Sequence, residues 1–265
     1  GGAIVITGNA RMKQRPLKDM VDALRTHGCK ITYLEGEGCP PVKIETEGLP
    51  GGTITMSASI SSQFVSGVLL AAPLAQGPIS LQLQQDKPIS EPYIDMTISM
   101  MREFGVAVTK PQGNRYEIAN TGYKNPPVYE VEADASAATY PLAIAAITGG
   151  KVTCEAIGTG STQGDAAFCF LLEKMGCTVE QTATHTTVQG PPPGTLKALG
   201  TLDMESMTDA FMTAAVLCAV ANGKSIITGV ANQRVKECNR ILVMVQELTK
   251  CGVTLKETDD GLEID

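Results

Sequence analysis

Four segments of the chain share one pattern of apolar and polar positions. In each, apolar residues recur at helical spacing, a Gly closes the run, and a short alternating run follows. The segments are MVDALRTHGCKITYLEG, TISMMREFGVAVTKPQG, FCFLLEKMGCTVEQTAT and MVQELTKCGVTLKETDDG. Because Gly tolerates the left-handed conformation that ends many helices, each segment is predicted to form an amphipathic surface helix, a Gly cap and a strand.

The closing glycines recur at an almost constant interval. Gly28, Gly105, Gly176 and Gly252 follow one another at about 75 residues, a period too long for a small-module solenoid. An apolar residue stands four positions before each Gly; these residues are Leu24, Met101, Leu172 and Leu248. The interval therefore predicts a repeated subdomain that can stack on its own copies.

A second pattern alternates with the first and predicts helices that are buried on every side. It occurs in TITMSASISSQFVSGVLLAAPLAQGPISLQL, YEVEADASAATYPLAIAAITGGKVTCEAI and LDMESMTDAFMTAAVLCAVANGKSIITGV. In each, a strand leads through Ser or Asp into a helix without a polar face, and a Gly turn returns the chain to a strand. Together the patterns predict an α/β (α+β) fold of repeated βαβαββ units, each with one buried and one surface helix.

The starts of the buried helices are candidate anion sites. If equivalent units pack about an internal pseudo-axis, these helices run in parallel, and their positive N-terminal ends with unpaired N–H groups open at one end of a domain. The residues at these starts are Ser61-Ser62-Gln63, Ser136 and Thr208-Asp209. For any one of them the simpler interpretation is a helix N-cap, which contributes about 1 kcal/mol. We interpret Ser136 as a cap.

The composition fits a compact globular protein and limits its partners. Of the 265 residues, 43% are hydrophobic and 18% are charged, which does not suit a disordered chain. The net charge is −7, and duplex binding depends on many Lys and Arg contacts to phosphates, so we expect no nucleic-acid surface. Any anion site must therefore be local.

Cysteine and histidine usage favours a cytoplasmic protein without a metal. The eight cysteines are dispersed and form no CxxC pair, which is typical of buried thiols in a reducing compartment. His27 and His185 belong to no recognisable metal-ligand set. The longest apolar runs, FVSGVLLAAPLA and AFMTAAVLCAVA, fall short of the ~20 residues that a bilayer span needs, so we expect core helices and no membrane association.

A dense charged cluster interrupts this apolar chain at ANQRVKECNR. It contains Arg234, Lys236, Glu237 and Arg240 and precedes the apolar run ILVM. The cluster is either a solvated helix start or a ligand-binding segment. If the segment is helical, Lys236 and Arg240 are four residues apart and share a face, so that two cations converge on one anionic ligand.

Seven motifs carry a family resemblance. They are TGNARMKQRP, SISSQF, KPISEPYIDMTI, EADASAATYPLA, STQGDA, MTDAFMTAAV and ANQRVKECNR. In order and spacing they resemble the 5-enolpyruvylshikimate-3-phosphate synthase (3-phosphoshikimate 1-carboxyvinyltransferase) family over essentially the whole chain. The amino-acid sequences of TGNARM, MTDAF and ANQRVKECNR resemble those of the family member within the fungal pentafunctional AROM polypeptide.

The resemblance implies a two-domain inside-out barrel in which each domain holds three βαβαββ units and the domains close over a cleft. Residues 1–131 would belong to the first domain and residues 132–265 to the second, with a hinge near Glu132–Asp134. It also implies no metal and no organic cofactor. As a partner it implies the other shikimate-pathway domains, covalently joined in the full polypeptide.

The resemblance further implies a set of substrate contacts. Shikimate 3-phosphate would be held by Ser61, Ser62, Gln63, Ser90, Tyr93, Asp209, Asn232 and Lys236. Phosphoenolpyruvate would be held by Arg11, Gln63 and Arg240. Asp209 is the favoured base for the attacking hydroxyl, and Glu237 is implied as a proton-transfer residue near the reacting methylene. Without the resemblance, Arg11 reads as part of a solvated basic turn, and Asp209 as a cap.

The implied reaction is enolpyruvyl transfer by addition and elimination in the shikimate pathway, which leads to chorismate and the aromatic amino acids. The family also uses a Lys-Ser pair, two further Arg, a further Lys and an Asn-x-Gly-Thr loop whose motifs are not in this sequence. The sequence therefore resembles the central portion of the enzyme, and we expect negligible turnover from it alone. The alternatives are UDP-N-acetylglucosamine enolpyruvyl transferase, which relies on a loop cysteine, and a non-catalytic segment that only binds substrate.

Overall fold

The computed structural model describes residues 2–85, 88, 90–111 and 113–265. The chain divides into two compact units. The first unit ends at Tyr129, and the second runs from Glu130 to Asp265. The domain boundaries implied by the family resemblance stay a prediction.

The first unit alternates helices with short strands. Its helices are α1 (Lys18–Thr26), α2 (Ser62–Ala71) and α3 (Glu91–Glu103), with 3₁₀ helices at Met12–Gln14 and Ala72–Leu74. Its strands are β1 (Ile4–Ile6), β2 (Ile31–Tyr33), β3 (Val42–Ile44), β4 (Gly52–Met56), β5 (Ile79–Leu83), β6 (Val108–Thr109) and β7 (Arg115–Ile118). In its described part, these strands form a sheet of order β1-β3-β2 and a sheet of order β4-β5-β7-β6.

The second unit has the same alternation. Its helices are α4 (Ala135–Thr148), α5 (Phe168–Lys174), α6 (Phe211–Val220) and α7 (Arg240–Lys250), with 3₁₀ helices at Gly164–Ala167, Glu205–Ala210 and Ala231–Val235. Its strands are β8 (Lys151–Glu155), β9 (Thr178–Gln181), β10 (His185–Gln189), β11 (Gly200–Asp203), β12 (Ser225–Thr228), β13 (Leu255–Glu257) and β14 (Leu262–Ile264). They form sheets of order β8-β10-β9 and β11-β12-β14-β13.

The predicted βαβαββ repeat is confirmed in the four-stranded sheets. In the first unit β4 pairs with β5 in parallel, and β7 pairs antiparallel with both β5 and β6. In the second unit β11, β12, β14 and β13 repeat the same order and the same strand directions. The connections from β4 to β5 and from β11 to β12 each contain a buried helix, α2 or α6, which is the crossover that parallel strands require. Each of the other two sheets contains three paired strands within the described residues, and not the four that the repeat predicts.

The surface helices end as the sequence predicts. The closing residues Gly28, Gly105, Gly176 and Gly252 all have positive φ, between 78° and 104°. The N–H of the residue after each Gly donates to the carbonyl of the predicted apolar residue, over 2.9 to 3.1 Å; the carbonyls belong to Leu24, Met101, Leu172 and Leu248. This bond and the one from the Gly N–H define a Schellman motif, which satisfies carbonyls that the helix end leaves unpaired.

The buried helices carry the cores of their units. In the first unit, α2 contributes Val65 and Leu69, which have 0% exposure, to a core shared with β4, β5 and β7. In the second unit, α6 contributes Phe211 and Leu217, which have 0% exposure. Truncating a phenylalanine at such a site costs about 3 to 5 kcal/mol, so these contacts fix where the helices lie. In the described part of the chain, every helix is too short or too polar to cross a bilayer.

The start of α4 differs from two expectations. The helix is capped by Asp134 and not by Ser136, because the Asp134 carboxylate accepts from the backbone N–H groups of Ser136 and Ala137. The strand predicted just before this helix is absent from the described structure, and its residue Val131 is 82% exposed. The apolar and polar alternation is present there, but a strand also needs a neighbouring strand to pair with.

The STQGDA motif supports this helix start. The Gln163 side chain donates to the carbonyl oxygen of Ala133 over 2.6 Å and accepts from the N–H of Ala135 over 2.8 Å. Hydrogen bonds from the Ser136 hydroxyl and then from backbone N–H groups lower the pKa of Asp134. The Gln163 carboxamide thus forms hydrogen bonds with the backbone on both sides of Asp134.

Candidate active site

The start of α2 presents the predicted serine cluster in the first unit. Ser61 has an extended backbone and caps the helix, since its hydroxyl accepts from the N–H of Gln63 over 3.2 Å. Ser62 is 4% exposed, whereas Gln63 is exposed to solvent. Hydroxyl and N–H donors at a helix start, with the positive end of the helix dipole, suit a phosphate or carboxylate.

The start of α3 contains the second predicted serine. Ser90 has a φ of 52° and is 5% exposed. The left-handed region costs a residue with a side chain about 1 to 3 kcal/mol, and such strain is concentrated at functional sites. The N–H of Tyr93 donates to the Ser90 carbonyl oxygen over 3.2 Å, which places both residues in the first turn.

A hydroxyl pair joins the two helices that carry these residues. The Oγ atom of Ser66 in α2 lies 2.8 Å from the Oγ1 atom of Thr97 in α3. Thr97 also donates to the carbonyl oxygen of Tyr93, in the first turn of α3. These bonds lie within two turns of both helix starts, so they hold the Ser61 and Ser90 regions on neighbouring helices.

An ion pair anchors the first turn of α3. The Lys110 ammonium lies 2.8 Å from the Glu91 carboxylate, and this hydrogen bond raises the pKa of Lys110. One turn later, burial and then the nearby Glu91 charge raise the pKa of Asp95. The pair ties the helix start that carries Ser90 to the end of β6.

Arg11 lies on a separate element of the first unit. It precedes the 3₁₀ helix Met12–Gln14, and its carbonyl oxygen accepts from the N–H of Gln14 over 3.0 Å. Its side chain is partly buried. The neighbouring Lys13 pairs with Glu35 over 2.7 Å, as a solvated basic turn would. The role of Arg11 as a phosphoenolpyruvate ligand therefore stays a prediction.

The Arg240 guanidinium contacts two of the predicted site residues of the second unit, Asp209 and Glu237. Arg240 Nη1 donates to Asp209 Oδ1 over 2.9 Å and to Gln233 Oε1 over 2.6 Å. Its Nη2 donates to Glu237 Oε2 over 2.7 Å. The side chains of Arg240, Asp209 and Glu237 are 20%, 36% and 60% exposed, so the cluster is open to a ligand.

The backbone around Asp209 is a tight kink and not the start of an α-helix. Thr208 and Asp209 lie inside the 3₁₀ helix Glu205–Ala210, which contains the non-helical residue Met207, and α6 begins only after it. The interpretation of these residues as a cap is therefore wrong, because Ala210 occupies the position before α6. From this kink the Asp209 carboxylate accepts a hydrogen bond from Arg240.

Lys236 and Arg240 do not share a helix face, contrary to the prediction from their spacing. Lys236 is extended at the end of the 3₁₀ helix Ala231–Val235, and α7 begins at Arg240. The helix cannot begin earlier because Asn239 caps it, accepting from the N–H of Leu242 over 3.1 Å. The structure thus separates the two cations onto an extended linker and a helix start.

Arg234 has a structural role within the charged segment. It forms an ion pair with Glu257 and donates to the carbonyl oxygens of Thr258 and Asp259. These contacts fix the 3₁₀ helix to the turn between β13 and β14. The interpretation of the cluster as a solvated helix start is therefore wrong for Arg234, whose side chain binds other residues of the same unit.

Gln233 is a site residue that the sequence analysis missed. It is completely buried, and its Nε2 donates to Asn232 Oδ1 over 3.2 Å while its Oε1 accepts from Arg240. Asn232, a predicted ligand, is 8% exposed. A Gln in a polar turn is ordinarily exposed, so nothing in the local pattern marks this one as buried.

The geometry provides two kinds of chemistry, one in each unit. The helix starts at Ser61 and Ser90 provide donors for an anion. In the second unit, Asp209 and Glu237 are carboxylates suited to proton transfer, and Arg240 is a forked cation that matches a carboxylate or phosphate. The first feature is typical of anion-binding sites, and the second is typical of sites that transfer protons.

Comparison with known proteins supports this interpretation. Residues 1–265 match the family described as EPSP synthase (3-phosphoshikimate 1-carboxyvinyltransferase). The pentafunctional AROM polypeptide of Schizosaccharomyces pombe is 58% identical over 274 residues, covering 100% of this chain and 17% of the relative. Pentafunctional AROM polypeptide 1 of Lodderomyces elongisporus is 54% identical over 266 residues, covering 99% of this chain and 17% of the relative.

Solved structures show the same fold. EPSP synthase from Acinetobacter baumannii superposes with a TM-score of 0.72 at 29% identity, covering 99% of this chain and 59% of that chain. The enolpyruvyl transferase NikO from Streptomyces tendae gives a TM-score of 0.72 at 17% identity, covering 100% of this chain and 60% of that chain. The chain thus spans about a sixth of the curated relatives and three fifths of the solved ones. Because the family match runs over the full sequence, this chain belongs to the EPSP synthase family.

Proposed function

We propose that the chain serves enolpyruvyl transfer from phosphoenolpyruvate to the 5-hydroxyl of shikimate 3-phosphate. The products are 5-enolpyruvylshikimate 3-phosphate and phosphate. The observation that carries the proposal is the position of Arg240, which donates to both candidate proton-transfer carboxylates, Asp209 and Glu237. A carboxylate-binding cation next to an acid and a base is what this reaction needs.

The addition step uses both carboxylates. Asp209 accepts the proton of the 5-hydroxyl while the hydroxyl oxygen bonds to C2 of phosphoenolpyruvate, and C3 receives a proton from Glu237 in its protonated, carboxylic acid form. In the elimination step the bond from C2 to the phosphate oxygen breaks, phosphate leaves with the bonding electrons, and C3 returns a proton to the Glu237 carboxylate as the double bond is restored. A positioned acid or base contributes typically ~10²- to 10⁴-fold to such steps.

The cations hold the substrates and stabilise charge. Arg240 has a forked guanidinium and binds the carboxylate of phosphoenolpyruvate through both Nη groups, with Arg11 and Gln63 as further contacts. Lys236 reaches shikimate 3-phosphate from its extended linker. In this structure Asp209 and Glu237 accept hydrogen bonds from the Arg240 guanidinium. The carboxylate of phosphoenolpyruvate replaces these side chains as the acceptor when it binds.

The first unit supplies the phosphate contacts of shikimate 3-phosphate. Ser61, Ser62 and Ser90 offer donors at two helix starts, and the strained backbone of Ser90 supports a binding role. Gln63 and Tyr93 border the substrate. Asn232 and Asp209 of the second unit bind the ring hydroxyls.

The wider setting of the chain also belongs to the proposal. The matched relatives are pentafunctional AROM polypeptides of which this chain covers 17%. We therefore infer covalent attachment to other shikimate-pathway domains. The free cysteines favour the cytoplasm, and the boundary between the two units after Tyr129 lies close to the proposed hinge near Glu132–Asp134.

Titration calorimetry tests the proposal on the 265-residue chain. Shikimate 3-phosphate is added first and phosphoenolpyruvate second, and UDP-N-acetylglucosamine serves as the competing acceptor. We expect binding of the first two ligands and none of the third, with negligible phosphate release because the chain alone lacks family motifs. The absence of heat for both expected ligands would contradict the proposal, and turnover close to that of an intact enzyme would contradict the expected inactivity.

A second measurement tests the chemistry in the intact polypeptide. Glu237→Gln should lower kcat by at least ~10²-fold, because the amide keeps the shape but cannot transfer the proton. Glu247→Gln on the exposed side of α7 is the matched control, since Glu247 pairs only with Lys250 among the described contacts. Equal rates for Glu237→Gln and wild type would remove Glu237 from the mechanism.

A further inference from the structure

Gln233 joins the proposed contacts of the two substrates. Its carboxamide oxygen lies 2.6 Å from Arg240 Nη1, and its nitrogen lies 3.2 Å from Asn232 Oδ1. Arg240 is the proposed ligand of phosphoenolpyruvate, and Asn232 is a proposed ligand of shikimate 3-phosphate. Gln233 itself is 0% exposed, so it supports both side chains from the protein interior.

The hydrogen bonds fix which way each amide points. A guanidinium has donors only, so the Gln233 oxygen must face Arg240 and its amino group must face Asn232. The same bond turns the Asn232 oxygen toward Gln233, and the Asn232 amino group lies on the other edge of its amide. One buried residue therefore sets the orientation of two others.

A neutral acceptor differs from the other partners of Arg240. Asp209 is partly exposed and Glu237 is exposed, and each carboxylate compensates the charge of Arg240. The Gln233 amide is buried and uncharged, so it orients the guanidinium without cancelling its charge. When a ligand carboxylate displaces Asp209 and Glu237, the contact with Gln233 can stay in place.

We propose that Gln233 is a positioning residue, which holds Arg240 in the orientation that grips a ligand carboxylate and keeps the guanidinium charge available to that ligand. The identity of the ligand rests on the proposed function. Gln233 touches neither substrate and acts through Arg240 and Asn232.

Three variants of the 265-residue chain test the proposal by calorimetry. Gln233→Met keeps the volume and removes the acceptor, so we expect phosphoenolpyruvate to bind about tenfold more weakly in the presence of shikimate 3-phosphate. Gln233→Glu keeps the acceptor but adds a charge, so we expect a loss at least as large. The matched control is Gln181→Met, because Gln181 is partly buried in β9 of the same unit and donates to Thr186 over 2.9 Å.

The two ligands should respond differently. Shikimate 3-phosphate alone should lose about two- to threefold in Gln233→Met, since several contacts other than Asn232 hold it, and Gln181→Met should stay within twofold of wild type for both ligands. A general structural defect would instead weaken both ligands equally and in step with the loss of folded protein seen by circular dichroism. Unchanged phosphoenolpyruvate binding in both Gln233 variants would overturn the proposal.

A readout without ligand separates this proposal from the proposed function. Hydrogen bonds slow rotation of a guanidinium, so the Arg240 side-chain N–H signals in ¹⁵N NMR spectra, assigned by their loss in Arg240→Lys, should be resolved in wild type and Gln181→Met. The guanidinium should rotate faster in Gln233→Met, where only Asp209 and Glu237 still accept from Arg240, and as slowly as in wild type in Gln233→Glu. An unchanged rotation rate in Gln233→Met would refute the positioning role. If the wild-type chain binds neither ligand, the proposed function fails while the NMR result still decides the role of Gln233.

Discussion

Arg240 and Asp209 form an ion pair across 31 residues of sequence, with 2.9 Å between Nη1 and Oδ1. The pair joins the start of α7 to the 3₁₀ kink before α6. Because both side chains are partly exposed, a ligand carboxylate can compete with Asp209 for the guanidinium. In this structure the donors of Arg240 are thus satisfied by carboxylates of the protein itself.

Removing the internal competitor should strengthen anion binding. In Asp209→Asn the amide no longer neutralises Arg240, so we expect phosphoenolpyruvate to bind the 265-residue chain about three- to tenfold more tightly in calorimetry. The same variant should bind shikimate 3-phosphate more weakly. In the intact polypeptide its turnover should fall by ~10²-fold or more, because the base is lost.

The chain contains a matched control for this experiment. Glu247 forms an ion pair with Lys250 near the end of α7, in the same unit but away from Arg240. Glu247→Gln should leave the affinity for phosphoenolpyruvate unchanged when measured under conditions where the variant is folded. Tighter binding in Glu247→Gln, or weaker binding in Asp209→Asn, would show that the Asp209 pair does not compete with the ligand.

The cap of α4 should depend on Asp134 and only slightly on Ser136. Asp134→Ala removes the acceptor of two backbone N–H groups, so we expect the free energy of unfolding to fall by about 1 kcal/mol in urea denaturation at pH 7. Ser136→Ala should cost a few tenths of this, because only its hydroxyl bond to Asp134 is lost. Since hydrogen bonds lower the pKa of Asp134, its contribution is present above the pKa of about 3.9 in the unfolded chain and is lost as the pH falls below it. Equal stability of Asp134→Ala and wild type at pH 7 would contradict this assignment.

Gly67→Ala should stabilise the first unit. Gly67 lies in α2 at the edge of an apolar cavity of about 230 Å³ lined also by Met20, Leu24 and Val68. A Cβ atom there would meet the Met20 sulfur at 3.8 Å, which is ordinary contact. Because Ala is favoured over Gly in a helix, we expect a gain of about 1 kcal/mol in the free energy of unfolding, measured by urea denaturation. The contrasting variant is Gly261→Ala, whose Cβ would lie 1.8 Å from the Ile227 oxygen and should destabilise strongly.

Stability should fall in alkaline solution through the buried thiols. Burial raises the pKa of Cys177 from 9.0 to about 11. The folded chain therefore holds this proton more tightly than the unfolded chain, so the contribution is complete below pH 9 and is lost as the pH rises toward 11. We expect about 2 kcal/mol of this pH-dependent loss to disappear in Cys177→Ala and to persist in Cys251→Ala, whose thiol is exposed. Urea denaturation at pH 8, 9.5 and 10.5 measures it, and identical pH profiles for the two variants would contradict the assignment.

Periodic features of the sequence predict the fold well. The surface helices, their Gly closures and the repeated strand order follow from apolar spacing and from the backbone freedom of Gly, which are properties of each segment by itself. The strand before α4 shows the limit of this reasoning. Its residues Val128 and Val131 fit a strand, yet pairing depends on a neighbour that local sequence does not specify.

The candidate site is only partly predictable for the same reason. Its residues were named from motifs, and Asp209, Glu237 and Arg240 do lie together. Which of these side chains form hydrogen bonds with one another depends on contacts between distant segments of the chain. Spacing alone wrongly placed Lys236 and Arg240 on one helix, because the cap at Asn239 decides where α7 begins. It also gave no reason to select Gln233, whose burial is a property of the folded unit.

The anchor formed by Arg234 has a consequence for protein engineering. Asn232 and Gln233 depend for their placement on a turn that lies more than twenty residues later in the chain, through Glu257, Thr258 and Asp259. A shortened version that stopped after α7 would retain every proposed substrate-binding residue of the second unit. It would nevertheless lose the contacts of Arg234 that hold the 3₁₀ helix Ala231–Val235 in place. Designers who seek a minimal binding module should therefore preserve the final hairpin.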